Sequence, residues 1–138
     1  MELTSCINFL LTTTQHEVFL RFMGKLAPYD ITPGQYGVLS CLWSGNGSAT
    51  PSSIAKTLRL EMPTVSGVLD RMQDKGLLVR TVNPENRRNI TVAITERGRA
   101  LEQPVRTIVD ELNAEVLSNF SENEAATLIA GLQKLLEK

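Results

Sequence analysis

The side chains with the clearest chemical potential are hydroxyl groups at the start of one predicted helix and guanidinium groups at one predicted turn. The helix begins Pro63-Thr64-Val65-Ser66-Gly67, and the turn carries adjacent Arg87 and Arg88. Hydroxyls bond donors or acceptors on base edges, and small side chains let a helix enter the DNA major groove. Arginine is favoured in narrow, electronegative minor grooves. Together the two features indicate a surface for double-stranded DNA.

Four further residues belong to the predicted DNA-binding set. Gly67 permits close backbone approach, and Arg71, one turn further along, is suited to holding a phosphate or bracing the turn. Ser52 and Ser53 lie at the start of the preceding predicted helix. The alternative is that Thr64, Ser66 and Gly67 are ordinary solvated positions and that the arginine turn is a solvated loop.

Charge is unevenly distributed along this chain of 138 residues, whose formal net charge is −1. Residues 50–99 carry nine lysines and arginines against five acidic residues, whereas residues 100–138 carry three against seven. A positive region on a nearly neutral protein is an electrostatic footprint for phosphate.

Composition argues against several other classes of protein. One histidine, no glycine-rich phosphate loop, no nucleophile elbow and no metal-spaced cluster argue against an enzyme, and the sequence predicts neither cofactor nor metal. No apolar stretch approaches the ~20 residues that cross a bilayer, and Met1 to Leu11 shows no signal peptide. We therefore expect a cytoplasmic protein with no membrane contact.

Periodicity and capping signals predict the helices. Apolar residues recur at helical spacing from Leu3 to Leu26, which predicts one long first helix. Thr32 and Thr50 each precede a proline and predict the starts of the second and third helices. The fourth helix is predicted from Pro63 to Lys75, with Gly76 ending it in the left-handed conformation.

The rest of the chain predicts a hairpin and two helices. Leu77 to Val82 and Ile90 to Ile94 have strand character on either side of the basic turn. Thr95 predicts the start of one long helix, and Ser121 with Glu124 has the capping-box spacing that precedes a last one. The predicted fold is mainly α with a small β-hairpin wing, a winged helix-turn-helix with N- and C-terminal dimerisation helices.

Three motifs give the chain a family resemblance: Thr32-Pro33-Gly34-Gln35-Tyr36, the run from Met62 to Met72, and Asn83-Pro84-Glu85-Asn86-Arg87-Arg88. In type and order they resemble the signatures of the MarR family. The resemblance implies a single dimeric domain over 1–138, with a DNA-binding lobe at 32–99 and interlocking dimerisation helices at 1–31 and 100–138.

The same resemblance assigns roles to individual residues. Pro63 to Arg71 would be the recognition helix, and Arg88 would be the wing-tip arginine for the minor groove. Asn86 stands where the family usually has an aspartate, so a neutral amide would hold Arg88 less firmly. The family also implies a repressor and a ligand site between the dimerisation helices and the DNA-binding lobe.

A homodimer also follows from the pattern of apolar residues. The first helix and the two C-terminal helices carry more apolar surface than one small winged domain can cover. A twofold pair presents two recognition helices to half-sites about 34 Å apart, which predicts a pseudopalindromic operator.

The sequence suggests two alternative ways of sensing an effector, a pocket for a small molecule and a redox-active cysteine. His16, Phe19 and Met23 on the first helix, with Trp43 on the second, are candidates to line a pocket for a small, aromatic molecule, although core packing explains the apolar ones equally well. The organic-peroxide-sensing branch of the family has a cysteine near the start of the first helix, which makes Cys6 a redox candidate. No basic residue or tyrosine lies near Cys6 in sequence to lower its pKa.

A winged helix used only for protein contacts is the rival function. It would keep the apolar pattern but would not need Arg87 and Arg88 on an exposed turn. The salt dependence of binding distinguishes the two functions, because affinity for duplex DNA falls steeply as the salt concentration rises.

Overall fold

The computed structural model describes residues 1–82, 84–85 and 89–137. Within these residues the chain forms seven α-helices and one small antiparallel sheet. The helices are α1 (Ile7–Leu26), α2 (Pro33–Ser44), α3 (Pro51–Leu58), α4 (Met62–Asp74), α5 (Glu96–Ala100), α6 (Glu102–Val116) and α7 (Glu122–Leu136). The strands are β1 (Ser48–Ala49), β2 (Leu78–Val82) and β3 (Ile90–Ile94). The predicted fold class, mainly helical with a small wing, is confirmed.

The first helix is shorter than predicted. Leu3–Ser5 forms a separate 3-10 turn, and Cys6 has the extended backbone of an N-cap residue, so α1 starts at Ile7. The prediction that one helix begins at Leu3 was therefore wrong for the first turn. Periodicity missed the break because apolar residues occur on both sides of it.

The second helix begins as its capping residues predict. Thr32 accepts a hydrogen bond from the Gln35 backbone N–H, and the Gln35 side chain accepts one from the Thr32 N–H, which completes a capping box. Val38, Leu39 and Leu42 then point into the core. This helix lies at the start of residues 32–99, the range predicted to bind DNA.

The next two helices form the helix-turn-helix. The Thr50 side chain caps α3 through the Ser53 N–H, and Arg59 ends that helix in the left-handed conformation at φ 57°. Three residues later α4 begins. Gly76 has the predicted left-handed backbone, with φ 76°, and turns the chain from α4 into β2.

The wing is the β2–β3 hairpin of a three-stranded sheet in the order β1-β3-β2, in which β3 is central. Leu78 pairs with Ile94 and Val82 with Ile90, as a simple hairpin requires. The sequence analysis identifies no strand between α2 and α3, but Ser48 belongs to β1 and pairs with Ala93. A two-residue strand is too short to show an alternating pattern.

The long helix predicted after Thr95 is interrupted. Thr95 caps α5 as expected, but Leu101 separates α5 from α6. Pro104 explains the break, because it has no backbone N–H to donate to the Ala100 carbonyl four residues earlier. The apolar pattern continues through the break, and Val105, Ile108 and Leu112 of α6 are buried.

The last helix has the predicted N-terminal cap, but none of its residues is buried. Ser121 and Glu124 form the predicted capping box, whose hydrogen bonds from the Ser121 N–H and hydroxyl hold the pKa of the Glu124 carboxyl below its ordinary value. Within the described part of the chain, no helix is both long and apolar enough to span a membrane.

Candidate nucleic-acid interface

The fourth helix divides into an inward and an outward face. Val65, Leu69 and Met72 form the predicted inward stripe, and each is at most 1% exposed. Pro63, Thr64 and Ser66 are exposed at the start of the helix, and Gly67 is half-buried. The hydroxyl groups singled out in the sequence are therefore free to meet a ligand outside the chain.

A groove runs between this outward face and the wing. It has a volume of about 900 Å³, and Ser66 of α4 lies opposite Thr81 and Val82 of β2. Ser52, at the start of α3, lies on the same groove, and Met62 lines it from the first turn of α4. The structure thus brings together two of the predicted DNA-binding residues, Ser52 and Ser66, on one concave surface.

Arg80 fixes the wing against the fourth helix. Its guanidinium forms an ion pair with Asp70, and its Nε donates to Gln73 Oε1 at 3.1 Å. The Arg80 backbone N–H donates to the same Gln73 oxygen at 3.2 Å. Three hydrogen bonds from one strand residue to one helix set the width of the groove.

Lys75 and Arg97 secure the other end of the fourth helix. Lys75 Nζ donates to the Asp30 carbonyl at 2.7 Å and to Gln35 Oε1 at 3.0 Å, which ties the end of α4 to the capping box of α2. Arg97 donates to the Lys75 carbonyl at 2.8 Å. The orientation of α4 is therefore fixed by charged hydrogen bonds as well as by its apolar stripe.

The remaining predicted DNA contacts are placed as follows. Arg71 is exposed, and among the described residues no ion pair or side-chain hydrogen bond involves it, so its guanidinium is available for a phosphate. Ser53 is exposed, and its hydroxyl donates to the Thr50 carbonyl at 2.9 Å. Arg87 and Arg88, with Asn86, lie outside the described residues.

A second groove lies between α2 and α3. Its volume is about 500 Å³, and its lining is uncharged, with hydroxyls such as Ser40 and Thr57 beside Leu58 and Cys41. Partial burial raises the pKa of the Cys41 thiol above its ordinary value of 9.0, in spite of a hydrogen bond. A thiol with a raised pKa is a poor nucleophile at neutral pH.

The four predicted effector residues are not gathered around one described cavity. His16 and Met23 are exposed on α1, and Phe19 is half-buried. Trp43 donates from Nε1 to the Gly98 carbonyl at 3.2 Å, and neither groove includes any of the four in its lining.

An aromatic cluster surrounds Trp43 at the junction of three helices. The Tyr36 ring lies 6.4 Å from the Trp43 ring and 5.2 Å from the Phe22 ring of α1, both edge to face. The Arg106 guanidinium of α6 lies 5.6 Å from the centroid of the Trp43 ring. These contacts join α2 to α1 and α6.

Cys6 lies at the N-cap of α1 and is half-buried. Its side chain makes no capping hydrogen bond. The structure therefore places this thiol at a helix start, in the region predicted for dimerisation.

Sequence reasoning missed Arg80, Gln73 and Met62. Arg80 and Gln73 were missed because a cross-element bond between a strand and a helix leaves no local pattern. Met62 was missed because it stands three residues before Val65 and continues the stripe of Val65, Leu69 and Met72, a spacing that predicts burial.

Known proteins of the MarR family are similar to this chain in sequence. The sequence model described as MarR family matches residues 31–90. The multiple antibiotic resistance protein MarR of Salmonella typhimurium is 35% identical over 112 residues, which span 80% of this chain and 77% of that protein.

Two solved structures are similar over nearly the whole chain. A mutant of MarR from E. coli, complexed with operator DNA, superposes with a TM-score of 0.86 at 28% identity and covers 95% of this chain and 94% of its own. CouR from Rhodococcus jostii RHA1, bound to p-coumaroyl-CoA, gives a TM-score of 0.84 at 26% identity and covers 98% and 94%.

Proposed function

Because the chain belongs to the MarR family of transcriptional regulators, we propose that it binds a pseudopalindromic operator as a homodimer and represses transcription until a small molecule releases it. The observation that carries the proposal is the outward start of α4. Thr64 and Ser66 are exposed there, on the face opposite the buried stripe. Ser66 also lines the groove whose other side is formed by the wing. The similar MarR and CouR structures, bound to operator DNA and to an acyl-CoA ligand, support both halves of the proposal.

Each part of the interface has a proposed task. Thr64, Ser66 and the backbone at Gly67 approach base edges in the major groove. Ser52 and Ser53 at the start of α3, together with Arg71, hold phosphates and set the register. Arg87 and Arg88 on the wing are proposed for the minor groove. As a regulator that binds operator DNA, it would work in the cytoplasm and would need no catalytic step.

Selection of bound duplexes from a random pool tests operator binding. We expect a pseudopalindromic consensus and an affinity that falls steeply with salt, by about one power of salt concentration for each phosphate contact. Ser66→Glu places a carboxylate in the groove and should abolish binding, whereas Thr107→Glu adds the same charge to an exposed position on α6 and should not. Recovery of no enriched duplex at low salt would favour a module used only for protein contacts.

The effector is proposed to act at the junction of α1, α2 and α6. His16, Phe19 and Met23 recur at helical spacing on α1. Trp43 of α2 contacts Tyr36 of the same helix and Arg106 of α6. An effector releases DNA only if it binds one state of the dimer better than the other. An aromatic molecule that packs beside Trp43 could provide this difference by moving the aromatic cluster.

Intrinsic fluorescence tests the effector site, since Trp43 is the single tryptophan of the chain. A panel of aromatic acids and their thioesters should include a compound that changes Trp43 emission and lowers operator affinity at the same concentration. His16→Ala should weaken both effects together. An oxidant arm with Cys6→Ser examines the alternative: if peroxide lowers operator affinity in the parent but not in this variant, the sensor is the Cys6 thiol.

A further inference from the structure

Met62 is an apolar side chain that the fold leaves partly exposed at the start of α4. It continues the apolar stripe of α4 at the first turn, but it is 45% exposed, whereas Val65, Leu69 and Met72 are at most 1% exposed. Scattered exposed hydrophobic residues are normal on protein surfaces. The location of Met62 is what distinguishes it, because it shares the groove lining with Ser66, one helical turn further along, and with Ser52 of α3.

The chemistry of a methionine limits what it can meet in DNA. Its thioether carries no charge for a phosphate, and its sulfur is only a weak acceptor for a base-edge donor. The apolar group that the major groove presents is the C5-methyl of thymine. Residues at the start of a recognition helix are the ones that reach base edges. A flexible, polarisable side chain also adapts well to an apolar contact.

We infer that Met62 contacts a thymine C5-methyl group in each half-site, so that it is a specificity-determining residue beside the hydroxyls of Thr64 and Ser66. This inference rests on the proposed function and deepens it. Thr64 and Ser66 recognise hydrogen-bonding edges, whereas Met62 discriminates by the presence or absence of one methyl group.

Replacing thymine by uracil in the selected duplex tests the inference, since it removes that methyl and leaves the base-pairing groups unchanged. Each thymine of one half-site is replaced in turn, and binding of the dimer is measured by fluorescence anisotropy. We expect one replacement to weaken binding about fourfold, the effect of one buried methyl group. With Met62→Gln the same replacement should have no effect, and Met62→Leu should restore the discrimination.

A matched control separates this role from general packing. Leu60 is 39% exposed in the turn between α3 and α4 but does not line the groove. Leu60→Gln should leave the uracil effect intact. If uracil replacement is neutral at every position in the parent, or weakens the parent and Met62→Gln equally, the inference is overturned while operator binding stands. If no duplex is selected at all, the proposed function fails first.

Discussion

Gly67 is the residue at which stability and DNA binding should respond in opposite directions. A Cβ atom added there would meet nothing within 4 Å, so the chain's own packing does not require glycine. Glycine inside a helix costs about 0.5–1 kcal/mol relative to alanine. Because Gly67 lies at the outward start of α4, we propose that the missing side chain allows close approach to DNA.

We predict that Gly67→Ala raises the free energy of unfolding by about 0.5–1 kcal/mol. It should also lower operator affinity about tenfold, equivalent to about 1.4 kcal/mol, because the new methyl group obstructs close approach to DNA. Chemical denaturation and anisotropy titration measure the two effects. Gly24→Ala is the control, because a Cβ atom at Gly24 would also meet open space but lies on α1. If Gly67→Ala leaves operator affinity unchanged, the α4 backbone does not approach DNA closely at this position.

The two cysteines allow a second test at this scale. Burial raises the pKa of the Cys41 thiol above 9.0, so its thiolate fraction at neutral pH is below that of an ordinary cysteine. In a Cys6→Ser variant, the alkylation rate of Cys41 should still be rising above pH 9. Mass spectrometry after timed iodoacetamide treatment measures it. A rate that reaches its plateau below pH 8 would contradict the burial argument.

At the scale of elements, the position of the wing depends on Arg80 bonded to Asp70 and Gln73. We predict that Arg80→Gln weakens operator binding several-fold with an unchanged salt slope, because the residue positions the wing and its charge is already paired. Arg71→Gln should reduce the salt slope by about one, as loss of one phosphate contact requires. Stability should change by less than about 1 kcal/mol, since the Arg80–Asp70 pair is partly exposed. A salt slope reduced equally by both variants would show that Arg80 contacts phosphate directly.

The elements also show what the sequence could and could not predict. Caps at Thr32, Thr50 and Ser121 were predictable because their hydrogen bonds are local, within three residues along the chain. The breaks at Cys6 and Leu101 were not, because apolar periodicity continued through each of them.

Contacts between elements were equally invisible in the sequence. β1 forms only because Ser48 meets Ala93, a residue distant in the chain. Similarly, Ser52 and Ser66 were each predicted from their own helix, but the groove that joins them depends on the bond from Arg80 to α4. A single sequence indicates which residues face outward more readily than it indicates their distances from one another.

At the scale of the whole molecule, the last helix leaves an apolar face uncovered. No residue of α7 is buried, although one face of it is apolar through Leu128, Ile129, Leu132, Leu135 and Leu136. Exposed large apolar residues also occur at the other end of the chain, at Leu3 and Ile7. A contiguous apolar face of this kind marks an interface, and we assign it to the proposed homodimer.

We predict that Leu132→Asp converts the dimer to a monomer, because a carboxylate buried in an apolar interface is strongly unfavourable. Sedimentation velocity measures the change in mass. Thr127→Asp adds the same charge on another face of α7 and should leave the dimer intact. A dimer that survives Leu132→Asp would locate the interface elsewhere.

Hydroxyl-radical footprinting of the selected duplex tests the central claim, that the outward start of α4 and the groove beside it face DNA in a twofold pair. We expect two protected patches related by the dyad, with centres about 34 Å apart, one helical turn. Both should disappear with Ser66→Glu. A single asymmetric patch protected by a monomer, or protection that Ser66→Glu leaves unchanged, would contradict the account.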